Sequence, residues 1–71
     1  KSEIRLIGDG QKYAMARKAL QRNGIHADSG IESARWIDAG DPSSTSFVLH
    51  DSDGQIRRAA TIEELLLQLE S

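Results

Sequence analysis

The chain has 71 residues, enough for one small domain with a core near the lower size limit for independent folding. It contains no cysteine, which excludes disulfides, thiolate metal sites and cysteine nucleophiles. The formal net charge of −2 gives no overall basic field for nucleic acid or an anionic membrane. No apolar run approaches the roughly 18 residues that span a bilayer, and the N-terminus does not resemble a signal peptide, so we expect a soluble cytoplasmic protein.

The first third of the chain predicts a strand, a turn and a helix. Residues 4–7 are rich in apolar and β-branched side chains and are followed by the turn-forming sequence Gly8-Asp9-Gly10. Asp9 is expected to cap the helix, which ends at Asn23-Gly24 because glycine tolerates the left-handed conformation there. The apolar stripe of this helix has helical spacing and consists of Tyr13, Met15, Ala16, Ala19 and Leu20.

The middle of the chain is ambiguous at one segment. Residues 25–28 predict a short second strand. Ser29 and Glu32 have the spacing of a capping box, which favours a short helix over residues 31–37 closed by Gly40. The alternative is a strand, since the apolar positions of this segment fit neither period. Residues 41–45 predict a polar loop.

The last third predicts a hairpin and a helix. Residues 46–50 and 55–59 read as strands joined by a turn at Asp53-Gly54. A second capping box, Thr61 to Glu64, begins a helix whose inward side chains are Ile62, Leu65, Leu66 and Leu69. The order is therefore βαβαββα in a single domain, residues 1–71, with βαβββα as the alternative if residues 31–37 form a strand.

This order resembles the glutaredoxin, or thioredoxin-like, family. The Lys/Ala-rich first helix with its closing glycine, residues 16–25, is similar to that of the family, and residues 32–49 resemble its short helix, polar loop and third strand. The resemblance implies an α/β fold with a four-stranded mixed sheet in the order 2-1-3-4 and helices packed on it. The family's redox cysteines correspond to Gly10 and Tyr13, so the resemblance implies a scaffold without thiol chemistry. Pro42 stands about three residues before the position of the family's cis-proline, and Ala59-Ala60 replaces its Gly-Gly pair.

Other catalytic and metal chemistry finds little support in the sequence. His26 and His50 could bind a metal together with nearby aspartates. The sequence Asp51-Ser52-Asp53-Gly54, however, is typical of a turn and lacks the residue spacing of a calcium-binding loop. A Ser-His-Asp triad has no nucleophile-elbow spacing behind it. We therefore expect no enzyme activity, no cofactor and no metal.

The sequence instead predicts a non-enzymatic module that binds another protein or a peptide. The resemblance places its contact surface in the family's substrate groove, between residues 10–13 and 43–46, with an aromatic side chain beside it. The expected binding residues are Gly10, Tyr13, Trp36, Thr45 and Ser46. The alternative is a nucleic-acid-binding accessory protein that uses the basic face of the first helix, including Arg17 and Arg22. A third hypothesis is a thiol oxidoreductase whose cysteines have been substituted. No membrane partner is expected.

Overall fold

A mixed sheet forms one layer of the molecule and helices form the other. The structure, a computed structural model, describes residues 2–40 and 43–70, without the side chains of Ser2, Leu69 and Glu70. Within that part of the chain the elements, in order, are β1 (Ser2–Ile7), α1 (Gly10–Arg22), β2 (Ile25–Asp28), β3 (Trp36–Asp38), β4 (Phe47–His50), β5 (Ile56–Ala59) and α2 (Ile62–Glu70).

The strands lie in the order β2-β1-β3-β4-β5. β1 is parallel to β2 on one side and to β3 on the other, with Arg5 opposite both Asp28 and Trp36. β3 and β4 are antiparallel, as are β4 and β5, so the second half of the sheet is a meander. β1, α1 and β2 therefore form a parallel β-α-β unit.

The hydrophobic core lies between the sheet and the two helices. Alternate strand residues are buried because successive side chains of a strand point to opposite faces. Leu6, Ile37 and Leu49 are fully buried and belong to one cluster with Leu20 of α1 and Leu65 of α2. The intervening strand residues point away from the helices. We call that side the open face; its side chains on the strands from β1 to β5 include Arg5, Trp36, Asp38, Val48, His50, Ile56 and Arg58.

The four-stranded sheet in the order 2-1-3-4 is wrong. Residues 31–37 do not form a helix, and Trp36–Asp38 is inserted as a strand between β1 and β4. Across the described residues the order is βαββββα, one strand more than the alternative βαβββα. The insertion is favoured because Ile37 enters the core between Leu6 and Leu49, its partners on the two neighbouring strands.

Local signals predicted the turns and helix ends well. Gly24 and Gly54 adopt positive φ angles of 77° and 87°, as expected for a helix end and a tight hairpin. The backbone amide of Glu64 donates to Oγ1 of Thr61 at 3.2 Å, which confirms Thr61 as the N-cap of α2 and one of the two bonds of the expected capping box.

Other local expectations fail or lie outside the described residues. Asp9 stands at the N-cap of α1, yet its side chain makes no capping hydrogen bond within the described part of the chain, so that expectation is wrong. Met15 is 59% exposed and does not belong to the buried stripe. The beginning of the expected loop, residues 41–42, and the Leu69 side chain lie outside the described residues.

Candidate functional site

A groove lies at the carboxyl ends of β1 and β3. These strands are parallel neighbours, but the chain leaves β1 through α1 toward β2 and leaves β3 toward β4, in the opposite direction across the sheet. Such a topological switch point opens a crevice outside the strand ends, which is where open α/β sheets usually bind their ligands. The position of the groove therefore follows from the strand order.

Gly8 allows the two departing connections to cross at close range. The amide of Ala39 donates to the carbonyl of Ile7 at 2.7 Å. A Cβ atom on Gly8 would lie 2.6 Å from the carbonyl carbon of Ala39 and 2.9 Å from the nitrogen of Gly40. The backbone φ angle of Gly8 is +141°. Only glycine fits this contact, which forms one wall of the groove.

The groove has a volume of about 570 Å³. This is within the range of roughly 300–1,000 Å³ found for ligand pockets, although the groove is open on one side. Its surface combines apolar side chains with a polar rim. The apolar residues are Met15, Ala39, Phe47 and Ala60, and the polar ones are Asp9, Gln11, Lys12, Ser44 and Thr45, with Gly10 and Gly40 completing the lining.

Lys12 ties the first turn of α1 to the loop across the groove. Its Nζ atom donates to the carbonyl oxygen of Ser44 at 2.9 Å and lies 5.4 Å from the centre of the Phe47 ring. The second contact is within the range of a cation–π interaction. The loop is fixed further by a hydrogen bond of 3.1 Å from the amide of Ser46 to Oγ of Ser44. The hydrogen bonds of Lys12 and Ser46 to Ser44 thus fix the loop against the first turn of α1.

The structure brings two of the five sequence-predicted binding residues together. Gly10 and Thr45 both line the groove, and Ser46 follows directly in the same loop. Tyr13 instead points toward β2, where its hydroxyl donates to Oδ1 of Asp28 at 3.2 Å. Trp36 lies on the open face, stacked on His50. The expected surface is therefore divided between three places.

Six residues of the groove lining lie outside the surface expected from the sequence: Asp9, Met15, Ala39, Gly40, Phe47 and Ala60. Met15 was assigned to the buried stripe of α1, although it lies outside the i, i+3, i+7 pattern of Tyr13, Ala16 and Leu20, and this was the available signal. Ala60, which follows β5, was noted only as part of the pair that replaces the family's Gly-Gly and was not among the expected binding residues.

Two carboxylates outside the groove have lowered pKa values. The backbone amide of Ser29, followed by the hydroxyl of Tyr13, holds the pKa of Asp28 below its usual range against the opposing effect of burial, and the charge of Arg17 adds a smaller lowering. The backbone amide of Ser52, helped by Arg35 and Arg57, lowers the pKa of Asp51 in the same way. Both aspartates anchor turns.

The described residues contain neither a metal-binding cluster nor a membrane-spanning helix. Among the described residues, no group of three or more His, Cys, Asp or Glu side chains is arranged to hold a metal ion. His26 and His50 stand on β2 and β4, with two strands between them. Within the same part of the chain, neither helix combines the length and apolar character needed to cross a membrane.

The basic side chains proposed for a nucleic-acid surface on α1 lie near carboxylates. Nη2 of Arg22 lies 3.5 Å from a carboxylate oxygen of Glu63, and the charge of Arg17 acts on Asp28. Arg57 lies 3.8 Å from Asp51, while Arg58 is on the opposite face of the same strand. The cations are therefore spread over several sides of the molecule and partly neutralised.

Comparison with known proteins identifies one family. The model of a family described as the iron ABC transporter C-terminal domain matches residues 1–70. No curated protein and no solved structure matches significantly. The resemblance to glutaredoxins is therefore wrong, and so is the degenerate glutaredoxin scaffold that it implied. The nucleic-acid-binding alternative, which was based on the basic face of the first helix, is wrong as well.

Proposed function

The chain belongs to the family of iron ABC transporter C-terminal domains, and from this premise we propose that it binds another protein of such a transporter. The observation that carries the proposal is the match over residues 1–70, which includes every strand and both helices of the described fold. The domain is then a part of the transport assembly that makes protein–protein contacts.

We propose the groove between α1 and the loop before β4 as the contact surface. It is the place where the strand order opens a crevice, and its lining combines apolar contact area with hydrogen-bonding groups. Met15, one of the large apolar side chains that are more than half exposed, lies in it. A partner side chain that covers Met15 would gain apolar burial while the polar rim fixes its orientation.

The role is proposed to be non-enzymatic and cytoplasmic. The charged side chains of the described groove lining are Asp9 and Lys12, and Lys12 is already engaged with the carbonyl of Ser44. Neither histidine belongs to that lining, and the groove offers apolar contact area with hydrogen-bonding groups around it.

The proposal is tested on the transporter protein that carries this domain. The protein is purified with its partner subunits, with residues 1–70 either intact or deleted, and subunit co-elution and iron uptake into vesicles are measured. We expect the deletion to weaken co-elution and to reduce uptake. Unchanged assembly together with unchanged uptake would refute the proposed role.

A further inference from the structure

Two rows of side chains cross the open face from β3 to β5. The first row is Trp36, His50 and Ile56, which are successive partners in the strand register. The second row is Asp38, Val48 and Arg58, related in the same way one step along the strands. In each row the central residue lies on β4, and the residues at the two ends, on β3 and β5, differ from each other.

These rows are complementary to themselves. Consider two copies whose open faces are opposed, related by a two-fold axis that runs parallel to β4 and lies midway between the two sheets. This axis places β3 of each copy opposite β5 of the other. Asp38 of one copy then faces Arg58 of the other, and Trp36 faces Ile56, each pair occurring twice. Val48 and His50 face their own counterparts on the axis. This is the arrangement that an isologous interface requires.

We propose that the chain forms a homodimer in which the β3–β5 halves of two open faces pack together. Opposite charges meet in both Asp38–Arg58 pairs, and the exposed Ile56, 57% accessible, is covered by Trp36. Facing sheets pack about 10 Å apart with strand directions within roughly 30°, a separation that the Arg58 side chain can bridge. Trp36, at one end of its row, adds a large aromatic contact of the kind enriched among interface hot spots.

The size of the patch sets the strength of the dimer. Three strands spaced by about 4.8 Å provide much less than the roughly 800 Å² that each partner contributes to a standard stable interface. The dimer is therefore weak and depends on concentration. The groove lies at the strand ends and takes no part, so the transporter role and the dimer stand or fall separately.

Sedimentation equilibrium from about 1 µM to about 1 mM chain tests the dimer, and two charge reversals identify its surface. Asp38→Arg alone and Arg58→Asp alone place like charges opposite each other, and each is expected to raise the dissociation constant at least about tenfold. An equimolar mixture of the two variants restores both attractive pairs, so the heterodimer forms at wild-type concentrations. Lys18→Asp, a charge reversal on α1, is the matched control and leaves the equilibrium unchanged.

Three outcomes would overturn the proposal. They are a wild-type chain that stays monomeric throughout, a dimer that neither reversal weakens, and a mixture that remains monomeric although both variants are folded by circular dichroism. If Asp38→Arg unfolds the chain, Ile56→Asp replaces it as a test of the same patch. A dimer that survives Ile56→Asp uses another surface and refutes the proposal.

Discussion

The indole of Trp36 and the imidazole of His50 are stacked, with ring centroids 3.8 Å apart and planes inclined by 3°. The two residues are direct partners on β3 and β4. On the other side of the sheet, the next pair along the same strands, Ile37 and Leu49, is fully buried in the core. The inserted strand β3 is thus held to the meander on both faces.

Removal of the imidazole is expected to loosen β3. In His50→Ala the stacking contact is lost, and we predict a fall of about 1 kcal/mol in the free energy of unfolding. Trp36 is the only tryptophan of the chain, so its fluorescence during urea denaturation measures both its exposure and the stability. His26→Ala, an exposed imidazole on β2, is the control and should leave both nearly unchanged. Equal effects of the two substitutions would show that the stack contributes nothing.

The crossing at Gly8 makes a second prediction. Gly8→Ala would drive a Cβ atom to 2.6 Å from the backbone of Ala39 at a φ that side chains rarely adopt. We expect a loss of at least about 2 kcal/mol in unfolding free energy, measured by thermal or urea denaturation. Gly30→Ala is the matched control, because a Cβ there meets no described atom within 4 Å. A Gly8→Ala variant as stable as the control would mean that this close approach is absent in solution.

Local sequence patterns could predict most element ends but not the sheet. Gly24, Gly54 and the Thr61 N-cap act within a few residues, and the structure confirms each of them. The Ser29 box fails because the Ser29 amide donates to Oδ1 of Asp28 at 2.7 Å and Ser29 stands in a turn after β2. β3 forms because distant strands supply its hydrogen bonds and the burial of Ile37. Such long-range pairing overrides a weak local helix signal. A strand of three residues is also too short to show the alternation of apolar and polar residues by which a strand is recognised in a sequence.

The same limit applies to the candidate site. Gly10 and Thr45 were chosen through a family resemblance that is wrong, yet the turn at Gly8 and the loop before β4 do meet at the groove. Trp36 was assigned to the side of that groove because a large aromatic side chain in a poorly amphipathic helix or strand is a candidate for an interface. As a strand residue it alternates with the buried Ile37 and so faces away.

The contacts of Asp28 predict a dependence of stability on pH. Its pKa is lowered in the folded state, chiefly by the amide of Ser29 and then by Tyr13. The ionised carboxylate therefore stabilises the fold above the unfolded pKa of about 3.9, and this contribution disappears as the pH falls through the lower folded value. Asp28→Asn should be less stable than the wild type at neutral pH, and the difference should shrink in strongly acidic solution.

Urea denaturation at a series of pH values measures this convergence. Asp9→Asn, an exposed carboxylate whose side chain makes no capping bond within the described residues, is the comparison variant. A gap between wild type and Asp28→Asn that stays constant down to the acid limit would contradict the assigned contacts.

The most direct measurement for the proposed transporter role is the affinity of this chain for the transporter from which residues 1–70 have been deleted. Titration calorimetry with the purified, truncated transporter should give saturable binding that Met15→Lys weakens at least about tenfold, because it places a charge in the groove. Leu67→Lys, an equally exposed apolar residue on α2, is the matched control and should bind like the wild type. Absence of binding, or equal affinities for the wild type and Met15→Lys, would contradict the groove as the contact surface.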